Sequence, residues 1–255
     1  MLITAAVVPG PPGLVPELMG SAARELDDLR DATDLAVSRV LSDLVVASAG
    51  SPLPALRSVQ LVVVGPGQAG EFLAAGPVSF ASFGPDVVVP ALVQGQPGDP
   101  QLPTTIMVAR YLASRDILTD PEHAEPWASA RWLTTSGGQA KALGERLRAD
   151  RIRVGLILVA DGAACHGLKA PRAQDARATP YDAEVTAALA SGRPARLAHL
   201  DAALGGELGA TGSQVWPLLA AAAGSSHGDW VGEVLWSGAP YGVGWTVASW
   251  RRSCE

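Results

Sequence analysis

The sequence predicts an α/β domain, and three observations lead to this prediction. The chain has 255 residues, of which 48% are hydrophobic and 17% are charged, a composition typical of a globular protein with a substantial core. Apolar runs of strand length occur at residues 2–8, 59–64 and 152–160. Apolar residues at helical spacing follow the first run and recur later in the chain, so strands and helices alternate.

The chain begins with an apolar strand from Leu2 to Val8, which ends at Pro9–Pro12. No basic cluster precedes this run, so we expect a buried first strand and not a signal peptide. No apolar segment approaches the roughly 20 residues that a membrane-spanning helix needs. We therefore expect a cytoplasmic protein without a membrane partner.

Charge and cysteine content narrow the possible partners and compartments. The formal net charge is −6, and Lys and Arg form no cluster, which argues against a nucleic-acid groove. The two cysteines, Cys165 and Cys254, do not suggest a disulfide framework, and they fit a reducing compartment.

The first half of the chain continues with a helix, a central strand and shorter elements. Apolar residues at helical spacing from Ser21 to Leu44 predict a helix that ends at Ser51–Pro54. The run Val59–Val64 is apolar enough for a central strand in a sheet covered on both faces. The remaining elements expected here are short strands at 78–83 and 86–89, a helix at 104–112 and a strand at 131–134.

The second half repeats the alternation and closes with a hairpin. Ser136 is predicted to cap a helix that runs through Leu147, and residues 152–160 form the next strand. Within Val234–Ala248 we expect two apolar strands joined by a turn in which Pro240 fixes φ. Helical patterns lie between these strands, around residues 183–190, 196–204 and 213–223.

Residues Gly65–Gly70 match the pattern G-x-G-x-x-G directly after a strand, so a dinucleotide site has to be considered. That motif needs a helix whose N-terminus faces the pyrophosphate. Only Glu71–Ala75 follow before Gly76–Pro77, which is too short for the crossover helix. A dinucleotide-binding protein is therefore the least favoured hypothesis.

Three stretches of the sequence resemble motifs of one enzyme family. They are Gly238-Ala239-Pro240-Tyr241-Gly242-Val243-Gly244, the segment Pro9–Glu17 and the segment Val154–Leu168. Each is similar to a motif of the class III extradiol ring-cleavage dioxygenases, the family of the protocatechuate dioxygenase beta subunit. The resemblance covers nearly the whole chain and implies a single domain, residues 1–255, with a mixed central sheet covered by helices. It also implies a homodimer or a small partner subunit.

The resemblance further implies a site for iron(II) with two His ligands and one Glu ligand. The corresponding positions in this sequence are Gly10, Gly67 and Gly238. Glycine has no side chain that can bind a metal, whereas this type of iron site needs imidazole and carboxylate donors. We therefore expect that the metal site is lost and that the protein has no cofactor.

One functional position of the family is kept. His166 stands where the family has an acid/base histidine, with Cys165 in place of a Ser. His166 is either a base or hydrogen-bond donor of a binding pocket, or an inherited residue held at a strand end. Cys165 is either a nucleophile or a buried inert thiol. The pocket that we expect around His166 contains Gly10, Gly67, Gly238, Cys165, Pro240 and Tyr241.

The other histidines, His123, His199 and His227, are expected at the surface. His123 beside Glu122 and Glu125 is the one cluster with the character of metal ligands, although adjacent positions do not place three donors on one face of an ion.

Three functional hypotheses follow. The first is a degenerate, metal-free homologue of the dioxygenases that binds a small aromatic or other small molecule, or a protein partner, in the ancestral pocket. The second is an active enzyme, with a rebuilt metal site or with metal-free chemistry at His166 and Cys165. The third is dinucleotide binding at Gly65–Gly70.

The C-terminal tryptophans either line a pocket for a flat ligand or pack in the core; they are Trp230, Trp236, Trp245 and Trp250.

Overall fold

The computed structural model describes residues 1–49, 58–224 and 230–253. Within these ranges the strands are β1 (Leu2–Val8), β2 (Val59–Pro66), β3 (Gly70–Phe72), β4 (Val78–Ser79), β5 (Val88–Val89), β6 (Arg131–Thr135), β7 (Arg153–Val159), β8 (Trp230–Gly238) and β9 (Trp245–Arg252). The helices are α1 (Pro16–Met19), α2 (Asp27–Ala49), α3 (Thr104–Thr119), α4 (Ala124–Ala128), α5 (Gly137–Ala149), α6 (Ala178–Ala190), α7 (Pro194–Ala198), α8 (Ala202–Glu207) and α9 (Trp216–Ala223).

Seven of these strands form one mixed sheet in the order β3-β6-β2-β7-β1-β9-β8. The neighbouring strands β6, β2, β7 and β1 run parallel, while β3 and β9 are antiparallel to their neighbours. The sequences of β2 and β7 are apolar almost throughout, because a strand covered on both faces has no side chain that points to solvent. The predicted α/β fold with a mixed central sheet is confirmed.

Helices cover both faces of the sheet and enclose two hydrophobic cores. One core contains residues of α5, α6 and α9, and the other contains residues of α2, α3 and α4. Successive residues of β1 alternate between them: Ala5 and Val7 belong to the first core, Ala6 and Val8 to the second. This alternation is the period of two that a strand imposes on its side chains.

The C-terminal hairpin of β8 and β9 forms as predicted, and it joins the two ends of the chain in one sheet. Strand β9 pairs with β1, and β8 lies at the sheet edge. Trp230 and Trp250 are buried, with ring centroids 6.2 Å apart. For these two tryptophans, core packing is the role that the structure shows.

Several boundaries differ from the predicted ones for local reasons. Helix α2 begins only at Asp27, because residues Gly20–Leu26 form a 3-10 helix. Helix α3 continues past the predicted end at Leu112, and the predicted helix at 196–204 is divided into α7 and α8, since the side chain of Asp201 caps α8. The predicted helix end at Ser51–Pro54 lies outside the described residues.

The described residues contain no helix that is both long enough and apolar enough to cross a membrane.

Candidate functional site

The direction of winding changes between the neighbouring strands β1 and β7. The chain leaves β1 towards α2 on one face of the sheet, and leaves β7 towards α6 on the other face. Open α/β sheets bind ligands in the crevice outside the carboxyl ends of strands at such a position. Here the N–H of Gly10, which follows β1, donates a hydrogen bond to Oδ1 of Asp161, which follows β7 (3.0 Å). This bond ties the two strand ends together.

Asp161 is a carboxyl group in a poorly hydrated position. Burial raises its pKa to about 6, although the hydrogen bond from the Gly10 N–H opposes the rise. Its backbone N–H donates to Thr211 Oγ1 (3.1 Å), and its carbonyl oxygen accepts from the Gly212 N–H (2.8 Å). Asp161 therefore connects three segments of the chain at the crevice.

The loop after β7 carries His166, and α6 supplies a carboxylate for it. His166 Nε2 lies 2.6 Å from Asp182 Oδ2, and the two side chains are 16% and 17% exposed. The backbone N–H of His166 donates to the carbonyl oxygen of Gly242 (3.0 Å), and Asp182 Oδ1 accepts from the Ala163 N–H (3.0 Å). Burial raises the pKa of Asp182, while the bonds from Ala163 and His166 oppose that rise.

The contact with Asp182 determines which nitrogen of the His166 ring remains available for a ligand. When Asp182 is ionised, its carboxylate can only accept a hydrogen bond, and Nε2 is then the nitrogen that carries a proton. In the neutral ring Nδ1 is then an acceptor, and no described residue donates a hydrogen bond to it. A histidine held in this way can accept a hydrogen bond or a proton from a hydroxyl group that lies against it.

The hairpin turn packs closely against this pair. A Cβ on Gly244 would overlap Asp182 Oδ2, and a Cβ on Gly162 would lie 2.5 Å from Asp182 Oδ1. The Gly244 N–H donates to the Ala163 carbonyl oxygen (2.8 Å), and the Gly162 N–H donates to the Gly244 carbonyl oxygen (2.6 Å). The absence of a side chain at both glycines lets the turn reach the β7 loop while Asp182 stays between them.

A pocket of about 550 Å³ opens beside the His166–Asp182 pair. This volume lies within the range of small-molecule sites. Helix α6 forms one wall, and the adjoining ends of β8 and β9 form the other. Thr186 Oγ1 and Thr246 Oγ1 lie 3.2 Å apart across these two walls. The pocket lining includes His166, Asp182, Thr186, Gly238, Trp245 and Thr246.

Of the residues that the sequence placed in one pocket, His166 and Gly238 line this one. Gly10 bonds to Asp161 at the crevice, and Gly67 donates its N–H to the Thr135 carbonyl oxygen at the end of β6 (3.1 Å). The other members also lie outside the lining: Pro240 is exposed, Tyr241 donates its hydroxyl to Glu25 Oε2 (2.6 Å), and Cys165 is buried.

Cys165 is a member of the hydrophobic core between the sheet and α6. Its thiol lies 3.5 Å from the Leu208 carbonyl oxygen. Burial and the charges of Asp175 and Asp182 raise the pKa of this thiol. A thiol with a raised pKa is mostly protonated at neutral pH, which disfavours a role as nucleophile.

The positions that the resemblance assigns to iron ligands do not fit an iron ion. A Cβ on Gly10 would lie 2.7 Å from Val159 Cγ1, and a Cβ on Gly238 would lie 2.8 Å from the Trp236 ring. Gly67 has a φ of 149°, which residues with a side chain rarely adopt. Among the described residues, no three His, Cys, Asp or Glu side chains form a group that could hold a metal ion.

The expectation for His123 is wrong, because this residue is buried and belongs to a polar cluster. Its Nδ1 lies 3.0 Å from Asp116 Oδ2, which also accepts from Trp127 Nε1 (2.7 Å), and its Nε2 lies 3.4 Å from Ser42 Oγ. The predicted neighbours Glu122 and Glu125 are both exposed, while Asp116 lies on the preceding helix. His199 is exposed as expected, and His227 lies outside the described residues.

The region Gly65–Gly70 does not lead into a helix. Gly70 begins β3, which pairs antiparallel with β6 at the sheet edge. The helix N-terminus that a pyrophosphate requires is therefore not present after this turn. The lack of a helix directly after this turn agrees with the sequence-based argument against a dinucleotide site.

The sequence alone did not reveal the partner of His166. The sequence predicts a helix around residues 183–190, but α6 already begins at Ala178, so Asp182 lies in its second turn, with Oδ2 next to His166 Nε2. The available signal was an acidic residue, Asp182, close to the start of the helical pattern that follows the His166 loop. No pattern in the sequence indicated that the hydroxyls of Thr186 and Thr246 line the pocket.

Comparisons with known proteins leave the family resemblance untested. No family model matches the sequence, and a search of curated proteins finds no match. Among solved structures, the crystal structure of the uncharacterized protein JW3007 from Escherichia coli K12 is 14% identical, with 98% of this chain and 99% of that chain covered and a TM-score of 0.39. A similarity at this level does not establish a shared family or function. The resemblance to extradiol dioxygenases therefore stays a prediction.

Proposed function

We propose that this protein binds a small molecule without a metal ion, in the pocket between α6 and the β8–β9 hairpin. In this proposal the chain is a degenerate homologue of the extradiol dioxygenases. The observation that carries it is an oriented His166–Asp182 pair that opens into a pocket of about 550 Å³, next to glycine at the position of the family's Glu ligand.

His166 would bind the ligand through Nδ1, because Asp182 occupies Nε2. A ligand hydroxyl can donate to this nitrogen, and Trp245 and the threonine hydroxyls offer further contacts along the pocket. Pockets of this kind combine an apolar lining with a few placed polar groups that orient the ligand. His166 is therefore the residue on which affinity should depend most.

The test is a calorimetric titration of EDTA-treated protein with catechol under anaerobic conditions. We expect saturable binding that His166→Ala weakens roughly tenfold, the effect of one lost hydrogen bond in a partly buried site. His199→Ala is the matched control, since His199 is exposed, lies outside the pocket lining and has its Nδ1 2.6 Å from the carbonyl oxygen of Ala195. Equal affinity in the wild type and His166→Ala, or no binding at all, would contradict the proposal.

A further inference from the structure

We infer that the ligand of this pocket is uncharged, with a hydroxyl group at one end and an apolar tail at the other. This inference rests on the proposed function and adds the class of ligand. Two properties of the pocket lead to it: the charges in its lining and the distribution of polar and apolar residues along α6.

Among the described residues, the pocket lining contains no Lys or Arg that could hold an anionic ligand. Of its lining residues only His166 and Asp182 are titratable, and their charges cancel or leave one negative charge. A carboxylate or phosphate that is partly withdrawn from water needs a cationic partner, usually Arg or Lys. An anion here would face Asp182 without such a partner.

The basic residues nearest in the sequence are placed elsewhere. Arg177 pairs with Asp175 and Glu207, and Lys169 is exposed on the turn after His166, outside the pocket lining. Arg172 donates to the Glu207 carbonyl oxygen (2.9 Å). The described part of the chain therefore directs no cation into this pocket.

The titratable residues of the pocket lie at one end of its α6 wall, and beyond them the Thr186 and Thr246 hydroxyls lie within hydrogen-bond distance of each other (3.2 Å). His166 and Asp182 lie at one end, and the exposed side chains of Ala183, Ala187 and Ala190 continue along the helix from there. Eight residues of helix extend about 12 Å, the length of an extended alkyl chain of several carbons or of a second ring. A hydroxylated head at His166 would thus place an apolar tail along these alanines.

The experiment compares three probes on EDTA-treated protein: phenol, 4-butylphenol and 4-(4-hydroxyphenyl)butanoate. We expect 4-butylphenol to bind more tightly than phenol by about twofold to fourfold for each methylene that the groove covers. The carboxylated probe should bind at least tenfold more weakly than 4-butylphenol, because its charge finds no partner.

Two variants locate the tail. Ala187→Trp should fill the groove and remove the gain of 4-butylphenol over phenol. Glu184→Trp is the matched control, since Glu184 is exposed on the same helix and does not line the pocket.

A third variant tests the charge of the pocket. Ala190→Arg should supply the missing cation and raise the affinity of the carboxylated probe.

The outcomes separate this inference from the proposed function. If neither catechol nor any of the three probes binds, the proposed function fails together with the inference, whereas binding of catechol alone overturns only the inference. If phenol binds but the butyl chain adds nothing, or the carboxylated probe binds best, only the ligand class is wrong. Equal effects of Ala187→Trp and Glu184→Trp would also overturn the placement of the tail.

Discussion

At the scale of single residues, the site depends on a carboxylate held between two glycines. Asp182 accepts hydrogen bonds from Ala163 and His166 while its oxygens lie where a Cβ on Gly244 would be. Any side chain at Gly244 must move either Asp182 or the hairpin turn. The same contact that positions His166 therefore also makes Gly244 hard to replace.

We expect Gly244→Ala to lower the free energy of unfolding by about 2 kcal/mol or more, as overpacking in a rigid site does. Gly206→Ala should be neutral or slightly stabilising, because no atom lies within 4 Å of a Cβ there and the residue is helical. Urea unfolding of both variants measures the difference. Comparable stability in the two variants would show that Asp182 is not packed as described.

Asp161 should make stability depend on pH. Its folded pKa of about 6 lies above the ordinary value of 3.8, so the folded state holds its proton to higher pH than the unfolded chain does. Stability from this residue is therefore greatest below pH 4 and falls as the pH rises to about 6, by at most about 3 kcal/mol.

Asp161→Asn removes this titration and keeps an oxygen that can accept from the Gly10 N–H. The variant should therefore gain stability relative to the wild type as the pH rises from 4 to 6.5. Asp116 and Asp182 also have raised pKa values, but both are present in each protein, so the comparison isolates Asp161. Urea unfolding across this pH range is the measurement, and parallel profiles would refute the assignment.

Residues of the site differ in how far the local sequence predicts their role. His166 was identified because it follows a strand and stands in a recognisable motif, which are local properties. Asp182 is 16 residues away, and its role depends on how α6 packs on the sheet. Likewise, burial of His123 depends on α2 covering the loop, which a polar local sequence does not reveal.

At the scale of elements, close helix packing depends on small residues at particular positions. Helix α5 packs on α9, and a Cβ on Gly144 would overlap the Leu218 carbonyl oxygen. Gly138, in the first turn of the same helix, has open space around it. Gly144 and Gly138 of α5 therefore serve different purposes.

Gly144→Ala should separate α5 from α9 and destabilise the protein by about 1–3 kcal/mol. Gly138→Ala should instead stabilise it by a few tenths to about 1 kcal/mol, because alanine favours the helix. Thermal unfolding of the two variants provides the comparison. A stabilising Gly144→Ala would mean that the two helices do not approach each other this closely.

The long strands β1, β2 and β7 were predictable from the sequence in type and extent, whereas for the short strands predicted at 78–83 and 86–89 only the position was correct. The three long strands have runs of buried apolar residues, and burial of a whole strand leaves that pattern directly in the sequence. Strands β4 and β5 are two residues each and depend on pairing with one another. Their limits are set by tertiary contacts and not by local periodicity.

At the scale of the whole molecule, the first and last strands of the described chain pair within one sheet. The register of β1 with β9 joins Ala5 to Trp250 and Val7 to Ala248. The order of strands in the sheet could not be read from the sequence, because apolar strands of similar composition can pair in many ways. The α/β class followed from alternation of the elements, whereas the mixed sheet was expected only from the family resemblance.

Because the sheet is continuous and both cores contact it, the protein should unfold in a single transition. Trp127 and Trp132 stack in one core, with ring centroids 5.7 Å apart, and Trp230 and Trp250 lie in the other. Thermal melts followed by tryptophan fluorescence and by circular dichroism should therefore coincide. Two separate transitions would show that the chain consists of independent units.

The central proposal is that the pocket beside His166 and Asp182 works without a metal ion, and an anaerobic titration with iron(II) tests it most directly. Calorimetry on EDTA-treated protein should show no stoichiometric binding in the micromolar range, because Gly10, Gly67 and Gly238 offer no side-chain donors. One tight equivalent of iron(II), lost in His166→Ala but not in His199→Ala, would contradict the claim and identify a rebuilt metal site.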